Sequence, residues 1–194
     1  MPKLLDDEQI YRAVIQAVSQ SGYTGTTTKQ MADAAGISEV TLFRKYGNKQ
    51  QLVKEAISFI IGQTDLKSAS QYTGDVYTDL TRIVKAYYDL ANKYGDFVSV
   101  MIYEIPRHLN LLALVDEISD IFVSIGKLIA RYQNEDVLVK EPPLIALASL
   151  LSPIMIALNL KKVIPTHELT RELEKVDLSA HVTNFLAGRL NKML

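Results

Sequence analysis

Residues 22–52 read GYTGTTTKQMADAAGISEVTLFRKYGNKQQL, and the fold is decided here. Thr27-Thr28-Lys29-Gln30 is a capping-box pattern, in which a hydroxyl and an amide three residues on satisfy the first free backbone N–H groups of a helix. It opens a short helix through Ala35. Gly36 supplies the positive φ needed to leave that helix. Ser38 caps a third short helix running to about Tyr46, and Asn48 with Gln51 repeats the box before a fourth. Two short helices joined by a tight Gly36-Ile37-Ser38 turn make a helix-turn-helix. Thr27 to Ala35 is its support helix and Glu39 to Tyr46 its reading helix. Ala32 and Ala35 are small enough for a close crossing, and Met31, Ile37 and Leu42 plug it. Lys29, Glu39, Thr41, Arg44 and Lys45 stay outside. A short helix with such polar tips suits the major groove of a DNA duplex, where all four base pairs are distinguishable.

Outward from this stretch the apolar spacing stays helical. Ile10, Val14, Ala17 and Val18 mark a first helix, with Asp6 and Gln9 as its capping box and Gly22 as its end. Leu52, Val53, Ala56, Ile57 and Ile60 mark the fourth. From about residue 62 to 74 the chain is polar and small, as a linker would be. Val76, Leu80, Ile83, Val84, Tyr87, Ala91 and Tyr94 predict a long helix. Residues 96–105 have strand propensity through Phe97, Val98, Val100, Ile102 and Tyr103. No partner strand exists, so a buried helix stopping before Pro106 is expected. Leu111, Val115, Ile118, Phe122, Ile125, Ile129 and Tyr132 alternate spacings of four and three, which predicts one long amphipathic helix. A loop follows over 134–143, then an apolar helix over about 143–160. Leu178, Val182, Phe185, Leu186 and Leu190 mark a last helix over about 178–191. The expectation is an all-α chain. A three-helix helix-turn-helix DNA-binding domain occupies 1–48, the fourth helix (49–62) connects, and a larger helical domain occupies 63–194.

The composition narrows the function. The chain has 194 residues, 48% hydrophobic and 22% charged, in the range of folded soluble proteins. It has no Cys, which removes disulfides, zinc fingers, Fe–S clusters and thiol nucleophiles together. The net charge of -1 does not announce a nucleic-acid binder, but the charge is uneven. Residues 1–54 carry seven basic and five acidic groups, and four of those cations fall within residues 44–54. Such a local field favours a polyanion. Met1 to Glu8 is polar and acidic, unlike a signal peptide, so a cytoplasmic location is expected.

Other functions are weakly supported. The uncharged run from Pro142 to Leu160 is 19 residues long and meets the length test for a membrane span. Ser149, Ser152, Pro153 and Asn159 interrupt it and no second span follows. A helix apolar all round also sits in a core or a subunit interface, which is the reading preferred here, with no membrane partner. His167-Glu168-Leu169-Thr170 begins like the zinc-protease HExxH, but Arg171 stands where the second ligand belongs. His108, His167 and His181 lack metal-ligand spacing. Asp116, Glu117 and Asp120 lie on the polar side of a helix. No enzymatic constellation, metal site or cofactor is implied. The main rival is a helical protein–protein adaptor without DNA binding.

The stretch quoted above resembles the N-terminal domain of the tetracycline-repressor (TetR) family of bacterial transcription regulators. The resemblance is carried by Gly22, Thr26, the Ala32…Ala35-Gly36-Ile37-Ser38 core, Leu42-Phe43, Tyr46 and the Asn48-Lys49…Leu52 start of the fourth helix. It implies DNA contacts. Thr27 and Thr28 match phosphate-contacting positions at a helix start. Lys29 matches a base or backbone contact, Glu39 and Thr41 occupy reading positions beside Arg44, and Lys45 and Lys49 match phosphate contacts. Two residues depart from the family pattern. Phe43 stands where Tyr is common, so a phosphate-bonding hydroxyl is missing. Val40 stands where Gly is common and adds an apolar group able to touch a thymine methyl, while Glu39 suits a cytosine amino group.

The resemblance also implies a homodimer built through the helices at about 143–160 and 178–191, and a palindromic operator. It implies release of a repressor by an unknown small apolar or amphipathic effector held in the body. Tyr87, Tyr88, Phe97, Met101, Tyr103, His108, Phe122 and Met155 are the candidate lining of that pocket.

Overall fold

The computed structural model describes residues 6–164, 166, 168 and 176–191. Met1 to Leu5, His167 and Leu169 to Arg171 of the sequence motifs above lie outside them. The described residues form eight α-helices: α1 (Asp7–Ser21), α2 (Thr28–Ala34), α3 (Glu39–Tyr46), α4 (Lys49–Gly62), α5 (Val76–Glu104), α6 (Asp116–Asn134), α7 (Pro143–Val163) and α8 (Leu178–Ala187). The fold is all-α, and among the described residues the one β-type pairing is an isolated antiparallel bridge between Leu138 and Leu190.

The chain divides into two compact units, residues 1–63 with Asp96–Glu117, and Thr64–Gly95 with Ile118–Leu194. In the first unit α1 packs on α4 and α2, and α2 on α3. Ile10, Val14 and Val18 of α1 meet Met31 and Ala32 of α2, Leu42 of α3 and Leu52, Val53 and Ala56 of α4 as fully buried core. The expected capping box of α1 is not formed, because the Asp6 side chain accepts no capping hydrogen bond. The neighbouring Asp7 instead turns to α3, where its carboxylate accepts from Lys45 and, at 3.0 Å, from the Tyr46 hydroxyl.

Residues 96–105 are helical and the α-helix stops before Pro106, as expected; they continue α5, which runs unbroken for 29 residues to Glu104. One other expectation changes. The helix expected from Leu111 starts only at Asp116. Leu109–Leu114 is a 3-10 helix instead, and Leu111 and Leu114 are both buried. In 3-10 geometry residues three apart eclipse, so both leucines point into the core. Asp116 and Glu117 then favour a helix start, where the dipole is positive.

In the second unit Leu80, Ile83 and Val84 of α5, Ile125, Ile129 and Tyr132 of α6, Leu150 of α7 and Val182 of α8 form one core. The expected linker after α4 is partly anchored, since Leu66 and Ala69 are buried in that core. Asp79 is fully buried and fastens three segments. Its carboxylate accepts from the Thr73 N–H at 2.9 Å, the Thr73 hydroxyl at 2.8 Å, Arg82 Nη2 at 2.9 Å and the Tyr132 hydroxyl at 2.5 Å. Burial pushes the Asp79 carboxyl up, but the bonds from Tyr132 and Thr73 and the Arg82 charge outweigh it and hold it below the ordinary value. Near the C-terminal end, Arg189 Nε donates to Glu141 at 2.7 Å and Nη2 to the Ser149 hydroxyl at 2.9 Å. Those bonds and the Leu138–Leu190 bridge tie the 135–142 loop to the end of the last helix.

Helix α7 is long and apolar enough to cross a membrane by length and composition alone. One side, through Ala146, Leu147, Leu150, Leu151 and Ile154, lies in the core, whereas Leu144, Ile145 and Ile156 are exposed.

Candidate nucleic-acid interface

Local chemistry builds the helix-turn-helix. The Thr27 hydroxyl accepts from the Gln30 N–H at 3.2 Å, and the Gln30 side chain accepts from the Thr27 N–H at 2.7 Å, so both halves of the capping box exist. At the other end of α2, Ile37 N–H donates to the Ala32 carbonyl at 3.0 Å and Gly36 N–H to that of Asp33 at 3.1 Å. This paired closure needs a residue of positive φ, and Gly36 has φ 67°. Ser38 then accepts from the Thr41 N–H at 3.1 Å, and Asn48 from the Gln51 N–H at 2.8 Å. Ser38 thus fixes where α3 starts and Asn48 where α4 starts, while α3 stops at Gly47, whose φ is 76° and whose N–H donates to the Phe43 carbonyl.

Helix α3 turns Leu42 and Tyr46 inward and leaves Val40 (77% exposed) and Phe43 (43%) outward. Arg44 and Lys45 are exposed beside them. The polar residues of this helix are already engaged within the unit. The Thr28 hydroxyl donates to Glu39 at 2.5 Å, which joins the start of the support helix to the start of the reading helix. The Thr41 and Ser38 hydroxyls are 2.9 Å apart. Lys45 pairs with Asp7, and its hydrogen bond is the main reason the Asp7 carboxyl lies below its ordinary value. That pair is exposed on both sides, so it contributes little and Lys45 can exchange it for another anion. Among the described residues Arg44 has no hydrogen-bond or ion-pair partner.

Lys49 stands at the first turn of α4. Its ammonium lies 4.1 Å from the centre of the Tyr23 ring and donates to the Tyr23 carbonyl. Burial lowers its pKa and the nearby Glu104 charge partly offsets that. Glu104, the last residue of α5, accepts from the Thr24 N–H at 2.8 Å and the Thr24 hydroxyl at 2.6 Å. It thereby holds the turn that leads into α2. Gly22 in that turn has φ 77°, and a Cβ there would lie 2.4 Å from a Glu104 carboxylate oxygen.

The ten expected DNA contacts thus fall within the first unit. Thr27, Thr28 and Lys29 sit at the start of α2; Glu39, Val40, Thr41, Phe43, Arg44 and Lys45 on α3; and Lys49 at the start of α4. Sequence reasoning missed Asp7 and Tyr23, which accept from Lys45 and Lys49 across 38 and 26 positions, and Glu104, which holds Thr24 across 80. No spacing rule reaches that far.

The expected pocket residues divide between the two units. Phe97 and Met101 are core of the first unit, where Tyr103 is exposed with the Arg107 guanidinium 3.6 Å from its ring centre, and His108 is half-buried at a turn. Tyr87, Phe122 and Met155 line a cavity of about 260 Å³ in the second unit. Tyr88 packs against the core of that unit. The remaining wall is Leu144, Leu147, Ala148, Leu151 and Ser152 of α7. Their spacing of three and four was visible, but in an uncharged run it marks no one face. His181 Nε2 lies 2.7 Å from the Leu150 carbonyl, which only accepts, so the ring carries its proton there.

Residues 10–56 match the sequence model of the bacterial regulatory proteins of the tetR family. An uncharacterized HTH-type transcriptional regulator of Bacillus subtilis (strain 168), YvkB, is 37% identical over 84 residues, a match spanning 40% of each chain. Among solved structures, the fatty acid degradation regulator FadR of Bacillus halodurans superposes with a TM-score of 0.72 at 15% identity, covering 94% of this chain and 99% of that one. A TetR-family transcription regulator of Marinobacter aquaeolei VT8 gives a TM-score of 0.74 at 14% identity, with 96% of each chain covered. At such identities the superpositions speak for the fold alone, and the family match is confined to residues 10–56, which are similar to the bacterial regulatory proteins of the tetR family.

Proposed function

We propose that the protein is a DNA-binding regulator of transcription, acting as a repressor that binds a palindromic duplex as a homodimer and is released by a small apolar or amphipathic effector. In this reading residues 1–48 contact DNA, 49–62 connect, and 63–194 bind the effector and dimerise. The observation that carries it is α3 itself. Caps at both ends hold it, Leu42 and Tyr46 are buried, and Val40, Phe43 and Arg44 are left outward beside the exposed Lys45. A helix presented in this way fits a major groove, and two copies read two half-sites.

The homodimer is supported by α7, whose Leu144, Ile145 and Ile156 are uncovered. A second copy would remove them from water, and self-complementary pairing is the commonest way to do so. The effector is supported by the cavity beside Tyr87, whose lining carries no charged side chain and offers the Tyr87 and Ser152 hydroxyls as polar handles. To empty the operator almost completely, an effector must favour the released state by about 5.5 kcal/mol.

The test is fluorescence anisotropy with duplexes from the region upstream of the gene, across a salt series. Binding that weakens steeply with salt is expected, because Lys and Arg release counterions from phosphates. A protein that ignores every duplex, or binds with no salt dependence, removes the proposal and leaves the adaptor reading.

A further inference from the structure

Most polar side chains of the reading helix face groups of their own unit. Glu39 accepts from Thr28, Thr41 is paired with Ser38, and Lys45 and Tyr46 share Asp7. What remains directed outward is a valine, a phenylalanine and a guanidinium. Val40 and Phe43 are three residues apart, so they lie on one face of α3, and Arg44 borders them. Both apolar groups are well exposed although the core beside them is closed.

We propose that this face recognises thymine methyl groups in the major groove, with Val40 and Phe43 as the specificity-determining residues. The inference rests on the DNA-binding reading above and names the base chemistry that reading left open. The C5 methyl of thymine is the one apolar group that the major-groove edges present. A polyanion is the matching partner because Arg44 borders the apolar pair and draws it onto the duplex. Phe43 has no polar atom on its side chain, so its exposed ring offers only apolar contact. Each half-site therefore contains thymines where these two side chains land.

The proposal is tested by replacing thymine with deoxyuridine, which removes the methyl and keeps the Watson–Crick edge. A duplex is first selected from a randomised library, and each thymine of a half-site is then changed in turn. Affinity is read by anisotropy at one salt concentration. At one or two positions per half-site uracil should weaken binding about fourfold, the value of one buried methyl group. In Val40→Ala or Phe43→Ala the penalty at the corresponding position should vanish, while penalties elsewhere persist. Both side chains are exposed, so the variants keep the fold, which a melting curve checks. Uracil penalties below twofold at every position, or penalties unchanged in both variants, would overturn the proposal while the DNA-binding reading stands. Failure to select any duplex would overturn both.

Discussion

Gly22 and Glu104 are predicted to be coupled through the turn that leads into the helix-turn-helix. Gly22 has φ 77° and ψ 161°, a region open essentially to glycine alone. Gly22→Ala should therefore cost about 2 kcal/mol from backbone strain. The new methyl group would also sit 2.4 Å from a Glu104 carboxylate oxygen, so the carboxylate must withdraw. Withdrawal breaks its bonds to the Thr24 N–H and hydroxyl, at 2.8 and 2.6 Å. Being exposed and charge-assisted, these together contribute about 1.5 kcal/mol. The single variant should lose about 3.5 kcal/mol, or about 10 °C in Tm for a chain of this length. Glu104→Ala alone should lose about 1.5 kcal/mol. In the double variant the methyl meets no carboxylate, and the loss should again be about 3.5 kcal/mol, so the pair falls short of additivity by about 1.5 kcal/mol. Urea titrations of the four proteins at pH 7 measure this. Additivity within about 0.3 kcal/mol would refute the steric argument, and a Gly22→Ala protein as stable as the parent would refute the strain as well.

Lys49→Ala should weaken binding to all duplexes alike and lower the slope of log affinity against log salt by about one, whereas Thr41→Ala should alter preference among sequences; a library titration of both separates the two roles. Tyr132→Phe should cost about 2 kcal/mol, since it removes a buried hydrogen bond to a charged group. The Asp79 carboxyl is held below its ordinary value, so its contribution is full above the unfolded carboxylate range and is lost as pH falls through the folded value. Stability of the parent measured from pH 6 down to pH 2 should therefore fall more steeply than that of Tyr132→Phe, and parallel curves would count against the network. Sedimentation at micromolar concentration should give twice 21.7 kDa for the parent and a monomer for Ile156→Glu, which places a charge on the uncovered side of α7; a parent that sediments as a monomer removes the dimer.

The helix-turn-helix was legible because its instructions are local. Thr27 with Gln30, Gly36 and Ser38 each act on backbone groups within five residues, so residue type and spacing state the geometry directly. The same locality explains the failures. Asp6 had the right spacing to cap α1, yet its neighbour Asp7 found partners on α3, 38 and 39 residues away, and the cap did not form. Leu111 fitted the spacing of α6, but burial alongside Leu114 drew it into a 3-10 helix. Aromatic and Met residues over 87–155 looked alike as pocket candidates, because composition carries no address; packing assigned Phe97 and Met101 to one core and Tyr87, Phe122 and Met155 to a cavity in the other unit. Which helices form, and where α2 and α3 begin and end, follows from backbone chemistry written along the chain. Which lysine meets which carboxylate, and that Glu104 holds the turn at Thr24 across 80 residues, follows only from how the helices pack, since contact at that range depends on every element between.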